Sequence, residues 1–386
     1  MHGVHVNIVT KISFLNYNRL TEMKIADNKY IIKEECGLKK ACQNGMRKIR
    51  IGSIGLGRLG YEHAANIATR VPGAELAALC DVDQEKLEKV AAELNVQATY
   101  TDYVTMCENP DLDAICIVSP SAIHTEHIRI AMEHGKHVFC EKPLDTTVER
   151  CIEAEKIVNA HPDKVFMLGF MRRYDYSYRK AKEKIDRGDI GRIVMIRAYT
   201  QDPISQIEST LKFAPHSGGQ FLDMCVHDID LCNWFTGGQK PKKLWAIGGC
   251  FAYPQYRQWN DGDNVSCLLQ YEDETMAFLF AGRAAAHGSN VETEIIGTRG
   301  TLRIGSVGTD SMLEVLSEHG VCRECHPDFL NRWHDAYIAE MEDFVNCIKE
   351  DRHVGIAVSD GTIASEIAYR CKESFETGKM LSFRDA

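Results

Sequence analysis

The stretch GGQFLDMCVHDIDLCNWFTGG at 218–238 sets Asp223 and His227 four residues apart, which places them on one face of a helix. An imidazole oriented by a carboxylate is suited to taking a proton from a hydroxyl group. A capped or core histidine on a mixed helix fits the same residues, and Asp228 and Asp230 read as solvated or structural. Lys142, in CEKPL at 140–144, follows a strand expected at the carboxyl edge of a sheet, where ligands bind in open α/β folds. Pro143 restricts Lys142 to an extended backbone, which would hold its ammonium toward the crevice. A surface lysine in a turn is the competing reading.

A third element lies upstream. GLGRLG at 55–60 stands between an apolar strand and a helical segment, where Gly55, Gly57 and Gly60 would give a tight turn, close approach to a pyrophosphate and tight helix–strand packing. Arg58 and Leu59 would open the helix whose free N–H groups face the phosphates. Asp81 ends the next expected strand, about twenty residues on, where an acid receives the hydroxyls of an adenosine ribose. With Asp83 two residues later and no arginine following, the pair would repel a 2′-phosphate, so NAD is expected over NADP. The alternative for this pair, a cap on the helix QEKLEKV, suits Asp83 better than Asp81.

These residues need a scaffold. The 386 residues are 44% hydrophobic and 26% charged, the composition of a globular protein. Forty-five Lys and Arg against 55 Asp and Glu give a formal charge of −10, which argues against nucleic acid or an anionic membrane surface as partner and points to a small molecule. No apolar run is long enough to span a bilayer and no signal peptide opens the chain, so we expect a cytoplasmic protein. Fifteen scattered cysteines read as reduced core thiols. CRECH at 322–326 matches the c-type haem pattern formally, but neither haem nor zinc is assigned and no metal is expected.

From residue 48 to about 170, short apolar runs alternate with helical segments, which predicts βαβ units and a parallel sheet. The expected strands are IRIGSIG, AELAALCD, AICIVSP, KHVFCE and KVFMLGF. Beyond Phe170, runs such as RIVMIRAYT, NVSCLLQYED and ETMAFLFAGR predict a largely antiparallel open sheet, with helices near 220–235, 333–349 and 360–377. The class is therefore α/β. The expected divisions are 1–46, an N-terminal extension ending at Met46 that the fold does not need; 47–169, a dinucleotide-binding domain; and 170–386, a substrate-binding and oligomerisation domain.

Taken in order, GLGRLG, Asp81, SPSAIH at 119–124, CEKPL, GFMRRYD at 169–175 and DMCVHDID resemble the glucose-fructose oxidoreductase, inositol dehydrogenase and rhizopine-catabolism family over about 48–384. Within it, GFMRRYD, the Asp-x-x-x-His helix and RWHDAYIAEMEDF at 332–344 are similar to the bacterial inositol 2-dehydrogenases. The resemblance implies a Rossmann domain joined to an open-sheet domain, a homotetramer, and oxidation of an inositol ring alcohol by NAD. It implies a catalytic trio of Lys142, Asp223 and His227, with Asp223 orienting His227, and a cis bond between Lys142 and Pro143. Ser119, His124, Glu141 and Lys142 would border the cofactor, and Arg172 the substrate. TQDPISQIESTLKFAPHSGG at 200–219 departs from the myo-inositol enzymes where hydroxyls would be read, which makes Asp202, Gln206 and His216 the further polar candidates. A sugar or glycoside dehydrogenase, and a non-catalytic NAD-binding sensor, are the alternatives.

Overall fold

Six parallel strands carry the first half of the chain, in a computed structural model that describes residues 47–238, 240–305, 309–318 and 320–383. The extension expected at 1–46 lies outside the described residues. The elements are β1 (Ile49–Ile54), α1 (Arg58–Thr69), β2 (Ala74–Cys80), α2 (Gln84–Leu94), β3 (Ala98–Tyr100), α3 (Tyr103–Glu108), β4 (Ala114–Ile117), α4 (His124–Glu133), β5 (His137–Glu141), α5 (Val148–Asn159) and β6 (Phe166–Gly169). Their order in the sheet is β3-β2-β1-β4-β5-β6, doubly wound, with the order reversing beside β1. β4 and β6 are buried throughout because helices cover both faces of a parallel sheet, which is why these runs are continuously apolar rather than alternating.

The second half opens with a 3₁₀ turn at Met171–Tyr174, followed by α6 (Tyr176–Asp186), β7 (Ile193–Pro203), α7 (Ile207–Phe213), a π-turn at Phe221–Cys225, α8 (Val226–Thr236), β8 (Lys243–Gly249), β9 (Asn264–Gln270), β10 (Met276–Ala285), β11 (Asn290–Gly297), β12 (Thr301–Ile304), β13 (Thr309–Ser317), β14 (Gly320–Cys325), α9 (Phe329–Glu350), α10 (Val358–Thr377) and β15 (Leu381–Ser382). Seven strands form one sheet in the order β12-β11-β7-β10-β9-β8-β15, and β13 pairs with β14 apart from it. All neighbours in the large sheet are antiparallel except β7 and β10, which run parallel because a long helical excursion and the β8–β9 hairpin separate them.

Helix α9 returns to the first half: Met341, Phe344 and Val345 pack in one core cluster with Ile51, Leu76 and Phe139. Lys48–Ala386 accordingly form one compact unit. The first part of the 200–219 segment, expected to read hydroxyls, is the end of β7, a 3₁₀ turn at Ile204–Gln206 and the start of α7, and α7 has no buried residue. With no buried stripe, α7 left no periodicity to read.

Candidate active site

The three glycines of GLGRLG have separate physical reasons. Gly55 has φ +88°, and a Cβ there would stand 2.6 Å from the Val118 carbonyl oxygen. A Cβ on Gly60 would stand 1.9 Å from the Gly55 oxygen, so α1 closes on the strand only through glycine. Gly57, the N-cap of α1, meets nothing within 4 Å, and no side chain caps the helix. Uncapped N–H groups under an open glycine are suited to a pyrophosphate.

Asp81, nearly buried, closes this loop. Its Oδ2 accepts the Leu56 N–H at 2.7 Å, its Oδ1 accepts the Asp83 N–H at 2.9 Å, and Lys86 Nζ donates at 3.2 Å. Burial works to raise its pKa, but these bonds prevail and hold it below the usual carboxylate value. Asp83 is the cap of α2, accepting the Lys86 N–H, so the capping role falls to Asp83 rather than Asp81, as expected. Lys86, on the first turn of α2, brings a cation to Asp81 that the sequence spacing does not reveal. The open Gly57, the uncapped helix and the strand-end acid fit a dinucleotide, which Gly55–Gly60 and Asp81 would hold.

Lys142 follows β5 through a cis bond to Pro143. Its N–H donates to Glu141 Oε2 at 3.0 Å, and its Nζ donates to the Asp223 carbonyl at 3.1 Å while standing 3.8 Å from Asp223 Oδ1. His124 is fully buried, with Nδ1 2.9 Å from the Pro143 oxygen and Nε2 2.9 Å from the Ser119 oxygen. The Ser119 hydroxyl meets His127 Nδ1 at 2.9 Å. Glu141 is also buried, its Oε1 2.7 Å from His63 Nε2. His124 and Glu141, expected to border the cofactor, are therefore engaged with protein groups, and they brace the Lys142 segment from both sides.

The expected orientation of His227 by Asp223 is not what the structure shows. Asp223 sits in the π-turn and its carboxylate bonds Arg283, with Lys142 beside it. Among the described residues it makes no hydrogen bond to His227, whose buried Nδ1 has no partner. The physical reason is charge: a guanidinium and an ammonium outcompete a neutral imidazole for a carboxylate. Burial opposes ionisation of Asp223, but Arg283 and then Lys142 hold it below the ordinary carboxylate value. Burial drives His227 well below the ordinary imidazole value, and the charges of Lys142 and Arg172 push it further. The imidazole is thus a neutral, desolvated acceptor beside an ammonium, edge-on to Phe170.

Arg283 is the residue of this cluster that the sequence reading missed. It is buried on β10, donates from Nη1 to Asp202 Oδ2 at 2.6 Å and from Nε to Gln220 Oε1 at 3.3 Å, and pairs with Asp223. Its signal was present: Ala277, Leu279 and Ala281 face the core at every second position of β10, and Arg283 continues that face. Arg172 is correspondingly less available than expected. Its Nη1 bonds Asp228 at 2.6 Å and its Nη2 bonds Thr200 at 3.1 Å, with Trp333 beneath the guanidinium. Asp228 and Asp230 are structural acids paired with Arg172 and Arg173. Gln206 Oε1 accepts from Arg58 at 3.5 Å, linking the dinucleotide loop to α7, and His216 is exposed. Cys322 and Cys325 of CRECH lie on β14, and every described cysteine is a free thiol.

Two family models match the chain: the oxidoreductase family with NAD-binding Rossmann fold over residues 49–170, and the GFO/IDH/MocA C-terminal domain over 178–303. Scyllo-inositol 2-dehydrogenase (NAD(+)) of Bacillus subtilis (strain 168) is 33% identical over 331 residues, 86% of this chain and 95% of that protein. Among solved structures, scyllo-inositol dehydrogenase from Lactobacillus casei with bound NAD(H) and scyllo-inositol superposes with a TM-score of 0.84 at 43% identity, covering 87% of this chain and 99% of that one. Myo-inositol 2-dehydrogenase from Lactobacillus plantarum gives a TM-score of 0.85 at 40% identity with the same coverage. The protein belongs to the GFO/IDH/MocA oxidoreductase family and carries that family's NAD-binding Rossmann fold.

Proposed function

We propose that this protein oxidises a ring secondary alcohol of scyllo- or myo-inositol to the corresponding keto-inositol. The carrying observation is His227: buried, with an unpartnered nitrogen, held neutral, and placed next to the Lys142 ammonium at the dinucleotide end of the fold. NAD, when bound, supplies the two-electron acceptor for the hydride leaving the ring carbon. His227 takes the hydroxyl proton as that carbon–oxygen bond becomes a carbonyl. Lys142 donates a hydrogen bond to the reacting oxygen and steadies its negative charge, and Asp223 with Arg283 fixes where that ammonium points. Asp202, held by Arg283, and Gln206, beside Arg58, read the remaining hydroxyls, with Arg172 supporting from beneath.

Residues 47–169 serve the cofactor in this reading, and 170–386 serve substrate and subunit contacts. The similarity to proteins named for scyllo- and myo-inositol supports the cyclitol class over sugars. We also read the protein as a cytoplasmic homotetramer. Trp245 and Leu268, register partners on β8 and β9, are 44% and 45% exposed with Ile247 beside them, an apolar sheet face that a second copy would cover. No helix among the described residues is long and apolar enough to cross a membrane.

The test is NADH formation by purified protein with myo-inositol, scyllo-inositol, glucose and a glucoside. Turnover of a cyclitol above both sugars is expected. Activity confined to the sugars would move the substrate out of the cyclitol class, and NADH binding without turnover of any polyol would identify a sensor.

A further inference from the structure

Beneath Lys142 lies a group of side chains that the reaction does not use. His63 on α1, Glu141 at the end of β5 and Glu340 on α9 are all buried, and they bring an imidazole nitrogen and two carboxylate oxygens within 4.8 Å of one another. Glu141 has partners on both oxygens: His63 Nε2 at 2.7 Å and the Lys142 N–H at 3.0 Å. Glu340 has none on either. His63 is packed between the rings of Phe139 and Tyr337.

Two carboxylates this close in a dry core cannot both carry charge without a cation. No Lys or Arg pairs with either one among the described residues. A metal ion does not suit the geometry. Ligands on a tetrahedral zinc stand about 3.3 Å apart, set by bond lengths of about 2.0–2.1 Å, whereas the contact of His63 with Glu141 is a direct hydrogen bond. The other nitrogen of His63 also lacks the partner that metal-bound imidazoles keep.

We propose that Glu141 and Glu340 hold one negative charge between them, with Glu340 kept as the neutral acid, so that Glu141 stays ionised to position the Lys142 peptide. The charge belongs on Glu141 because the Lys142 N–H donates to it and His63 Nε2 stands at hydrogen-bond distance, whereas Glu340 has no partner. The titratable groups around the pair are His63 on α1, Cys116 on β4, Cys140 on β5, His124 on α4, Tyr174 in the 3₁₀ turn and Tyr337 on α9. Arg58 and Arg172 act on Tyr337 without bonding either acid. Burial first, then the charge of Glu141, drives Glu340 well above the ordinary carboxylate value. Only the consequence for Lys142 rests on the catalytic role proposed above; the protonation state does not.

A group whose pKa is raised by folding contributes its stability at low pH and loses it as pH rises. Melting of the full chain from pH 5 to pH 9 should therefore find Glu340→Gln close to wild type at pH 5 and ahead of it at pH 9, by roughly 2 °C or more. kcat should be unchanged, since the amide, like the neutral acid, carries no charge and leaves Glu141 with its contacts to His63 and the Lys142 N–H. An amide variant that melts below wild type at pH 7, or falls further behind toward pH 9, would show Glu340 ionised and overturn the proposal, as would stoichiometric divalent metal in the purified protein. If the variant does not fold, infrared spectra of wild type labelled with carboxyl-¹³C glutamate decide at pH 7: a protonated-carboxyl band supports the proposal and its absence refutes it. If the melting result holds but Lys142→Ala turns over normally, the acid pair stands and the reading of the reaction fails.

Discussion

The two ends of the site are built in different ways. At the dinucleotide end, Gly55, Gly57 and Gly60 act through the backbone within one turn, and Asp81 reaches back to the N–H of Leu56. At the end proposed for substrate, Arg283 on β10 crosses to Asp202 on β7 and to Asp223 in the π-turn, contacts spanning 81 and 60 residues of chain. A site made of backbone and neighbours is written locally. One made of charges from separate strands exists only once the sheet has formed.

The largest expected effect is at the meeting point of the two ends. His227→Ala and Lys142→Ala should each lower kcat by roughly a hundredfold or more while NADH binding, followed by fluorescence titration, stays near wild type. Normal turnover in both variants would break the assignment. At the dinucleotide end, wild type should use NAD far better than NADP. Asp81→Ser should release Lys86 to receive a 2′-phosphate, so NADP use should rise in that variant and fall back when Lys86→Ala is added. Equal kcat/KM for the two cofactors in wild type would remove Asp81 as the discriminator.

At the end proposed for substrate, Arg283→Gln leaves the half-buried Asp202 without its cation and Asp223 with Lys142 alone, a loss on the order of 1–3 kcal/mol that denaturant unfolding would measure. Freed from Arg283, Asp223 should turn toward His227 and raise its pKa. The smallest effect is expected from Asp202→Asn and Gln206→Ala, which should alter the preference between myo- and scyllo-inositol more than they alter NADH affinity. Kinetics with both isomers would check this, and unchanged preference would make the 200–219 segment a bystander.

The same contrast explains what could be read in advance. The five longer strands of the parallel sheet, the glycine loop and the cap at Asp83 follow from periodicity and local chemistry. β3 has three residues and α7 buries none, so neither left a pattern. The trio of Lys142, Asp223 and His227 was legible as residues but not as wiring. The spacing of four suggested a bond from Asp223 to His227, while Arg283 and Lys142 compete for that carboxylate with full charges. The same applies to Glu141 and His124, expected as cofactor contacts but held by partners on α1 and in the turn after β4.

The pH dependence of kcat/KM for inositol oxidation tests this wiring most directly. If burial and the neighbouring cations keep His227 neutral while Asp223 serves Arg283 and Lys142, the acid limb should lie below pH 6.5, the ordinary imidazole value, and move upward in Arg283→Gln. A wild-type limb at or above pH 6.5, unmoved by that substitution, would mean that Asp223 already charges His227 and would contradict the arrangement described.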